Sequence, residues 1–357
     1  MPSGGARQFI QSLIPALAAS RGDDELIVCY NRKRFCGLAR DCREIVLDGA
    51  NKMWWDFVRF PRLLRKLGVD AAIFPKNVVP FFTGCVNYVV VHDLAYFVPE
   101  LDAYRWLDTA YMRRFLPRSM HRARAIFAVS EHTKADIVRF TGCDPAKIHV
   151  TYEAAEARYR RVEDAECLQK VRRTYRLPEH FVLYTGSLSP RKNTKRLLEA
   201  FARIRDKVPH QLVLTGSKSW KDRSVYEAID RLGLAGRIEQ LGYVGAEDMP
   251  ALYSLADVYA YPSLYEGFGL PVLEAMQCGC PVVASTATSI PEVAGEAAIS
   301  FDPLDVDSIA EAMHRVLTDP ATRDKLVASG ARRAAEFSWR RCAEAMWRTI
   351  RETVGQS

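Results

Sequence analysis

Short apolar runs alternate along this chain with longer stretches whose apolar residues recur at helical spacing. That pattern predicts a parallel sheet covered by helices. In the first half, strands are expected at residues 25–30, 44–47, 71–74, 86–91, 125–129 and 148–152. Helices are expected between them at 54–67, 104–122 and 132–140, the last with Ser130 as N-cap and with Asp136 and Arg139 facing outward. A further amphipathic helix is expected at 5–20, where Phe9, Ile10, Leu13, Ile14 and Leu17 share a face and Pro15 interrupts it. A polar stretch, 153–179, reads as an interdomain connection with one helix. Beyond it the alternation resumes, with strands at 181–184, 211–216, 237–242, 256–263 (a buried strand ending in a turn), 281–284 and 297–301. Helices are expected at 194–207, 247–255, 306–317 and 321–337, and a last one at 339–354 returning across both domains. The pattern gives an α/β chain of two doubly wound domains, 1–160 and 161–338, with 339–357 crossing back to the first.

The densest chemistry lies at residues 265–274. The expected strand ending near Tyr261 is followed by Glu266, Gly267, Phe268 and Gly269, and a helix is expected from Leu270 or Pro271 with Glu274 one turn inside it. A strand, a glycine loop and a helix N-terminus aim backbone N–H groups at an anion, and a diphosphate fits best. Taken singly, Glu266 would be a cap and Glu274 a solvated charge. Bracketing a Gly-Phe-Gly turn, the two carboxylates instead read as partners for vicinal sugar or ribose hydroxyls. Arg191 and Lys192 occupy a second strand-to-helix loop, where a guanidinium fork and a point-charge ammonium meet phosphate charge. His92 follows the most apolar strand, at the edge where open α/β sheets bind ligands, and 74–77 ends another strand.

Glu266, Gly267, Phe268, Gly269 and Leu270 with Glu274 resemble the E-x7-E motif of the retaining glycosyltransferases of family 4. The loop 186–193, Gly-Ser-Leu-Ser-Pro-Arg-Lys-Asn, the Pro-Glu-Val at 291–293, and His92-Asp93 are similar to that family's segments too. The resemblance implies a GT-B fold, two Rossmann-like domains facing a cleft, and retention at the anomeric carbon without a metal or other cofactor. It implies that Arg191, Lys192 and the helix start after Gly269 hold the donor diphosphate, and that Glu274 takes the ribose. Glu266 and the backbone of Gly267–Leu270 would hold the hexose, Tyr243 would lie near the base, and His92 beside the transferred sugar. Gly4 and Gly5 are similar to the family's first glycine loop. In that fold a strand precedes this loop, whereas Met1-Pro2-Ser3 alone precede it here, so the first strand is expected to be missing from this sequence. Pro190-Arg191-Lys192-Asn193 and the 291–293 segment resemble mannosyltransferases of polysaccharide assembly. GDP-mannose is therefore the favoured donor, a UDP-hexose the near alternative, and a glycan or lipid-linked molecule the acceptor. A sugar-nucleotide 2-epimerase of the same fold and a catalytically dead nucleotide-binding protein are the competing readings.

Composition narrows the setting. With 357 residues, 48% hydrophobic and 26% charged, the chain suffices for two globular cores. Its nine cysteines form no C-x-x-C pair, as expected for reduced thiols of a cytoplasmic protein. No signal-peptide pattern opens the chain, and the apolar stretch 78–98 is broken by Gly84, Asn87, His92 and Asp93, so no membrane span is expected. The formal charge is +7, all of it in residues 1–160, which hold 24 Lys and Arg against 17 Asp and Glu. Five arginines fall in 111–124, and Arg59, Arg62, Arg65 and Lys66 form a second basic run. No nucleic-acid module accompanies them; the two runs read either as solvated helix faces or, since the resembled enzymes often act on lipid-linked acceptors, as a peripheral contact with an anionic membrane surface.

Overall fold

The computed structural model describes residues 5–32, 37–39, 41–49, 54–102, 104–216 and 223–355. Packing divides the chain into two units: residues 1–97, 104–153 and 338–357, and residues 98–103 and 154–337. The division falls after Glu153, at the start of the polar connection and seven residues short of 160.

The first unit contains α1 (Gly5–Ala19), β1 (Ile27–Tyr30), β2 (Arg43–Val46), α2 (Phe60–Leu67), β3 (Ala71–Phe74), β4 (Val86–Val91), α3 (Trp106–Arg122), β5 (Ala125–Ala128), α4 (Glu131–Thr141) and β6 (Ile148–Val150). Strands β3-β4-β5-β6 make a parallel sheet in that order, while β1 and β2 pair separately in parallel, with no described strand bridging the two sets. Val89, Val90 and Val91 are fully buried because helices cover both faces of the parallel sheet. Around them Phe74, Leu116, Met120, Ile126 and Ile137 form one core.

Two local readings change. The expected helix 54–67 is a π-helical segment, Trp55–Arg59, running into α2. Pro61, which has no N–H to give, sits at the start of α2, where the ladder changes register. Ser130 does cap α4, its hydroxyl accepting from Thr133 N–H at 3.0 Å. Asp136, however, is buried rather than outward, its carboxylate 3.3 Å from His132 one turn earlier.

The second unit contains α5 (Ala165–Thr174), β7 (Phe181–Thr185), α6 (Thr194–Ile204), β8 (Gln211–Thr215), α7 (Arg223–Arg231), β9 (Ile238–Gly242), α8 (Met249–Leu255), β10 (Val258–Tyr261), α9 (Leu270–Gln277), β11 (Val282–Ser285), α10 (Ile290–Ala294), β12 (Ala298–Phe301), α11 (Val306–Thr318) and α12 (Pro320–Ala334). Its six strands are parallel in the order β12-β11-β10-β7-β8-β9. The sheet starts at β7, grows to β9 on one side, then returns to β10 and grows the other way. The order reverses between β7 and β10, and loops at the carboxyl ends of such strands bind ligands. Backbones crowd there: a Cβ on Gly216, just after β8, would lie 2.0 Å from the Gly186 carbonyl oxygen.

The chain closes on the first unit with α13 (Trp339–Thr353). Trp347, 7% exposed, donates its indole N–H to the Leu17 carbonyl at 3.0 Å, and the hydroxyls of Tyr88 and Thr353 lie 2.8 Å apart. The helix thus spans α1 and β4. No described helix is long and apolar enough to cross a membrane. Eight described cysteines are free thiols, and Cys278 and Cys280 are buried at the end of α9.

Since the buried Trp347 ties α13 to α1, Trp347→Ala should cost about 3–5 kcal/mol. The check is the unfolding transition assigned to the first unit, which should move to lower denaturant while that of the second unit stays in place.

Candidate active site

The loops after β7 and β10 meet because those strands are neighbours, with Val258 opposite Val182. After β7, Pro190–Lys192 forms one turn of 3₁₀ helix that ends at Asn193, whose φ of 58° lies in the left-handed region asparagine tolerates. The Asn193 amide donates to the carbonyls of Pro262 and Pro303 at 3.1 and 2.7 Å. Leu264 N–H donates to Arg191 O at 2.8 Å, and the Arg191 guanidinium to Tyr265 O at 3.0 Å. The two loops are stitched together by backbone before any side-chain charge is counted.

Between them lies a buried ion triad. Glu266, 8% exposed, receives Lys192 Nζ at 2.5 Å on Oε1 and Arg191 Nη1 at 3.1 Å on Oε2. Burial alone would raise the Glu266 carboxyl, but the charges of Lys192 and Arg191 outweigh it and hold the pKa down at about 2. The carboxylate is therefore ionised at neutral pH, and the triad carries net +1. Below it, Thr288 Oγ1 accepts from Glu266 N–H at 3.0 Å, and the Ser289 hydroxyl lies 3.0 and 2.8 Å from the carbonyls of Glu266 and Phe268. Gly269, at φ 118°, turns the chain into α9, whose first residues are Leu270 and Pro271. Only glycine adopts that φ without strain; Pro271 has no N–H and Val272 N–H donates to the Gly269 carbonyl at 2.9 Å, which leaves the Leu270 N–H at the helix start.

Glu274, 5% exposed, sits one turn into α9 and accepts from Tyr253 OH at 3.2 Å. Tyr253 OH lies 3.2 Å from Thr185 Oγ1, which lies 2.9 Å from Tyr259 OH. Tyr261, two residues on, stacks near Tyr259 and stands 3.4 Å from Lys192 Nζ. A layer of buried tyrosines thus underlies both carboxylates. Burial, with Glu266 and Glu274 nearby, pushes Tyr259 well above its usual value, and burial with Glu274 does so for Tyr253, so both remain neutral donors. The sequence signal for part of this layer is the i, i+2 pair Tyr259 and Tyr261 in the strand expected there.

The remaining expected site residues lie elsewhere. Tyr243 follows β9 and is 65% exposed. Gly5 begins α1, and Gly4 lies outside the described residues. His92 stands after β4 in the first unit, with both ring nitrogens engaged: Nδ1 lies 3.3 Å from Glu153 and Nε2 2.9 Å from the Pro75 carbonyl. Asn77 Oδ1 accepts its backbone N–H at 3.2 Å, and Phe9 packs edge-on against its ring. Burial disfavours a charged ring here, but the Glu153 hydrogen bond and charge, with Pro75, outweigh it and raise the His92 pKa. An imidazole facing two acceptors is best satisfied doubly protonated. Glu153, which completes that arrangement, stands where the sequence pattern places the start of the polar connection.

Two family models match the chain: "Glycosyltransferase Family 4" over residues 3–156 and "Glycosyl transferases group 1" over residues 169–333. The O-antigen chain mannosyltransferase B of Escherichia coli is 38% identical over 255 residues, covering 70% of this chain and 66% of that protein. The serotype-specific mannosyltransferase WbdA of Escherichia coli is 32% identical over 274 residues, covering 74% of this chain but 33% of that much longer protein. Among solved structures, Anabaena Alr3699/HepE in complex with UDP superposes with a TM-score of 0.76 at 19% identity, over 98% of this chain and 96% of that one.

Glu266→Gln tests the triad. The folded pKa lies below the ordinary 4.5, so the carboxylate contributes stability that is present above pH 4.5 and lost as pH falls towards about 2. Removing one partner of a buried pair costs about 3–5 kcal/mol. The variant should be destabilised by that order at pH 7, and the gap to wild type should close between pH 4.5 and 2. A gap unchanged by acid would show that the ionised form is not what matters.

Proposed function

The chain belongs to glycosyltransferase family 4, with a GT-B fold, and on that premise we propose that it is a retaining hexosyltransferase that moves mannose from GDP-mannose to a glycan or lipid-linked acceptor in polysaccharide assembly. The observation that carries the reading is the buried triad of Arg191, Lys192 and Glu266 at the switch point of the second sheet, beside the start of α9. Its net positive charge and the N–H at the start of α9 suit a diphosphate. As the bond from the anomeric carbon to the diphosphate oxygen breaks, the electron pair passes to that oxygen, and fixed cations stabilise the charge that develops. The leaving phosphate oxygen takes the proton of the acceptor hydroxyl as its oxygen bonds to the same face of the sugar.

Glu274, oriented by Tyr253, is assigned to the ribose hydroxyls, and Glu266 with the 267–270 backbone to the hexose. Tyr243 is assigned to the base through its exposed ring. His92 presents a ring edge rather than a free nitrogen, so its assigned part is to shape the sugar side, not to transfer protons. Mannose is favoured by the names of the two Escherichia coli relatives, and a UDP-hexose is the alternative donor.

The protein is further proposed to work at the cytoplasmic face of a membrane, in peripheral contact with it. Arg59, Arg62, Arg65 and Lys66 lie exposed on the π-helical segment and α2; Arg113, Arg114, Arg118 and Arg122 lie exposed on α3. Phe57 links these elements, its ring 6.2 Å from that of Phe115. Phe82 and Trp106 stand 80% and 76% exposed in the same unit. Cations beside exposed aromatic rings suit an anionic interface.

Thermal unfolding with GDP, UDP and ADP tests the donor site. Ligand at 100 times its Kd adds about 2.7 kcal/mol. GDP alone should stabilise wild type, and Glu274→Ala should lose the gain. Stabilisation by UDP alone would replace the donor, and none by any nucleotide would refute the site. Arg191→Ala should lower kcat/KM by about 10²–10³. Consumption of donor with no acceptor present, giving an epimer, would overturn the transferase.

Co-sedimentation tests the surface. Vesicles containing anionic lipid should pellet the protein and neutral vesicles should not. Replacing Arg113, Arg118 and Arg122 with Glu should abolish pelleting, and equal pelleting of this variant would refute contact through α3.

A further inference from the structure

The parallel register that brings the donor-side loops together also aligns the opposite ends of the same strands. In spatial order β10, β7 and β8 are adjacent, and the residues just before them are Asp257, His180 and His210. Asp257 Oδ2 lies 3.5 Å from His180 Nδ1 and 3.5 Å from His210 Nε2, and one ligand atom from each of the three residues falls within 4.8 Å of the others.

These separations are long for hydrogen bonds, which cluster near 2.9–3.0 Å. The two Asp257–histidine separations match the edge of a coordination tetrahedron, about 3.4 Å for bonds of about 2.0–2.1 Å to zinc, and the two histidine nitrogens lie within 4.8 Å of each other. We propose that His180, His210 and Asp257 form a binding site for zinc or a similar divalent transition metal, with the fourth position open to water.

The arrangement around the three side chains fits that role. Asp257 Oδ2 accepts from Phe181 N–H at 2.9 Å, which orients the carboxylate and leaves lone pairs for an ion. The Arg237 guanidinium donates to the carbonyls of Arg205, Val208 and His210, fixing the backbone at one ligand. The His210 ring is 7% exposed and its Nδ1 has no hydrogen-bond partner, so neither nitrogen of this buried imidazole makes a short bond within the protein. His180, with a side chain 49% exposed, gives an ion its route in. The charges of Arg237 and Arg323 act on His210 and oppose a dication, which weakens the binding expected here. The donor-side loops lie at the other ends of β7 and β10. An ion here would staple the starts of three strands and leave those loops untouched.

The test uses tag-free full-length protein stripped with chelator, then titrated with Co²⁺ or Zn²⁺. One equivalent of Co²⁺ should give the visible bands of a four- or five-coordinate ion without thiolate charge-transfer absorption, which separates this site from the cysteines. Zn²⁺ should raise Tm. His180→Ala should weaken binding at least tenfold and abolish the Tm gain while leaving the metal-free Tm and nucleotide stabilisation unchanged. No binding at micromolar metal, a thiolate spectrum, or equal binding by His180→Ala would overturn the site. Because nucleotide stabilisation is read on the same samples, failure here and failure of the donor site are told apart.

Discussion

The second unit is built around a carboxylate that could not be buried alone. Taking Glu266 out of water costs several kcal/mol, and so does burying Lys192; pairing with good geometry offsets much of this. That geometry exists because β7 and β10 are neighbours at the point where the strand order reverses. The backbone stitches from Leu264 to Arg191, from Arg191 to Tyr265 and from Asn193 to Pro262 hold the partners before the charges meet. Two cations and one anion leave a surplus positive charge, so the same arrangement that makes the loops stable makes them attractive to phosphate. On the proposed reading, stability and anion affinity have one source.

Most elements and the parallel pairing of the strands were legible because parallel strands buried on both faces read as short apolar runs. Val86–Val91 and Ala71–Phe74 are such runs, and their bounds agree with the pattern. The glycine turn before α9 was legible as well, since Gly269 stands where a φ of 118° is needed and Pro271 follows. Periodicity says less about phase and depth. It predicted one helix where Trp55–Arg59 is π-helical, and it put Asp136 in solvent. A charged residue one turn from a histidine can fold inward on its partner, and no period of 3.6 reveals that.

What stayed hidden were the pairings across the fold. Glu266 and Lys192 are 74 positions apart in sequence, and His92 and Glu153 are 61 apart. Sequence reading could name His92, Glu266, Arg191 and Lys192 as chemical groups without showing that each is held by another charge or carbonyl. The difference matters for function. A histidine with two acceptors is a poor base, because losing a proton leaves one acceptor unmet. A glutamate held by two cations is likewise a poor base, and its place is to set the position and field of its partners.

His180, His210 and Asp257 show the same limit at the other edge of the sheet. The gaps between them, 30 and 47 residues by number, match no ligand spacing read along a chain. They become one cluster because each precedes one of three adjacent parallel strands. A parallel sheet therefore gathers two sets of side chains from distant segments, one at each edge. At the carboxyl edge, long loops and the start of α9 give room for a substrate. At the amino edge the ligands sit directly against the strands, and the Phe181 N–H bond to Asp257 leaves little play. Loops that can vary in length and sequence suit the first edge to a substrate, and side chains fixed against the strands suit the second to holding an ion.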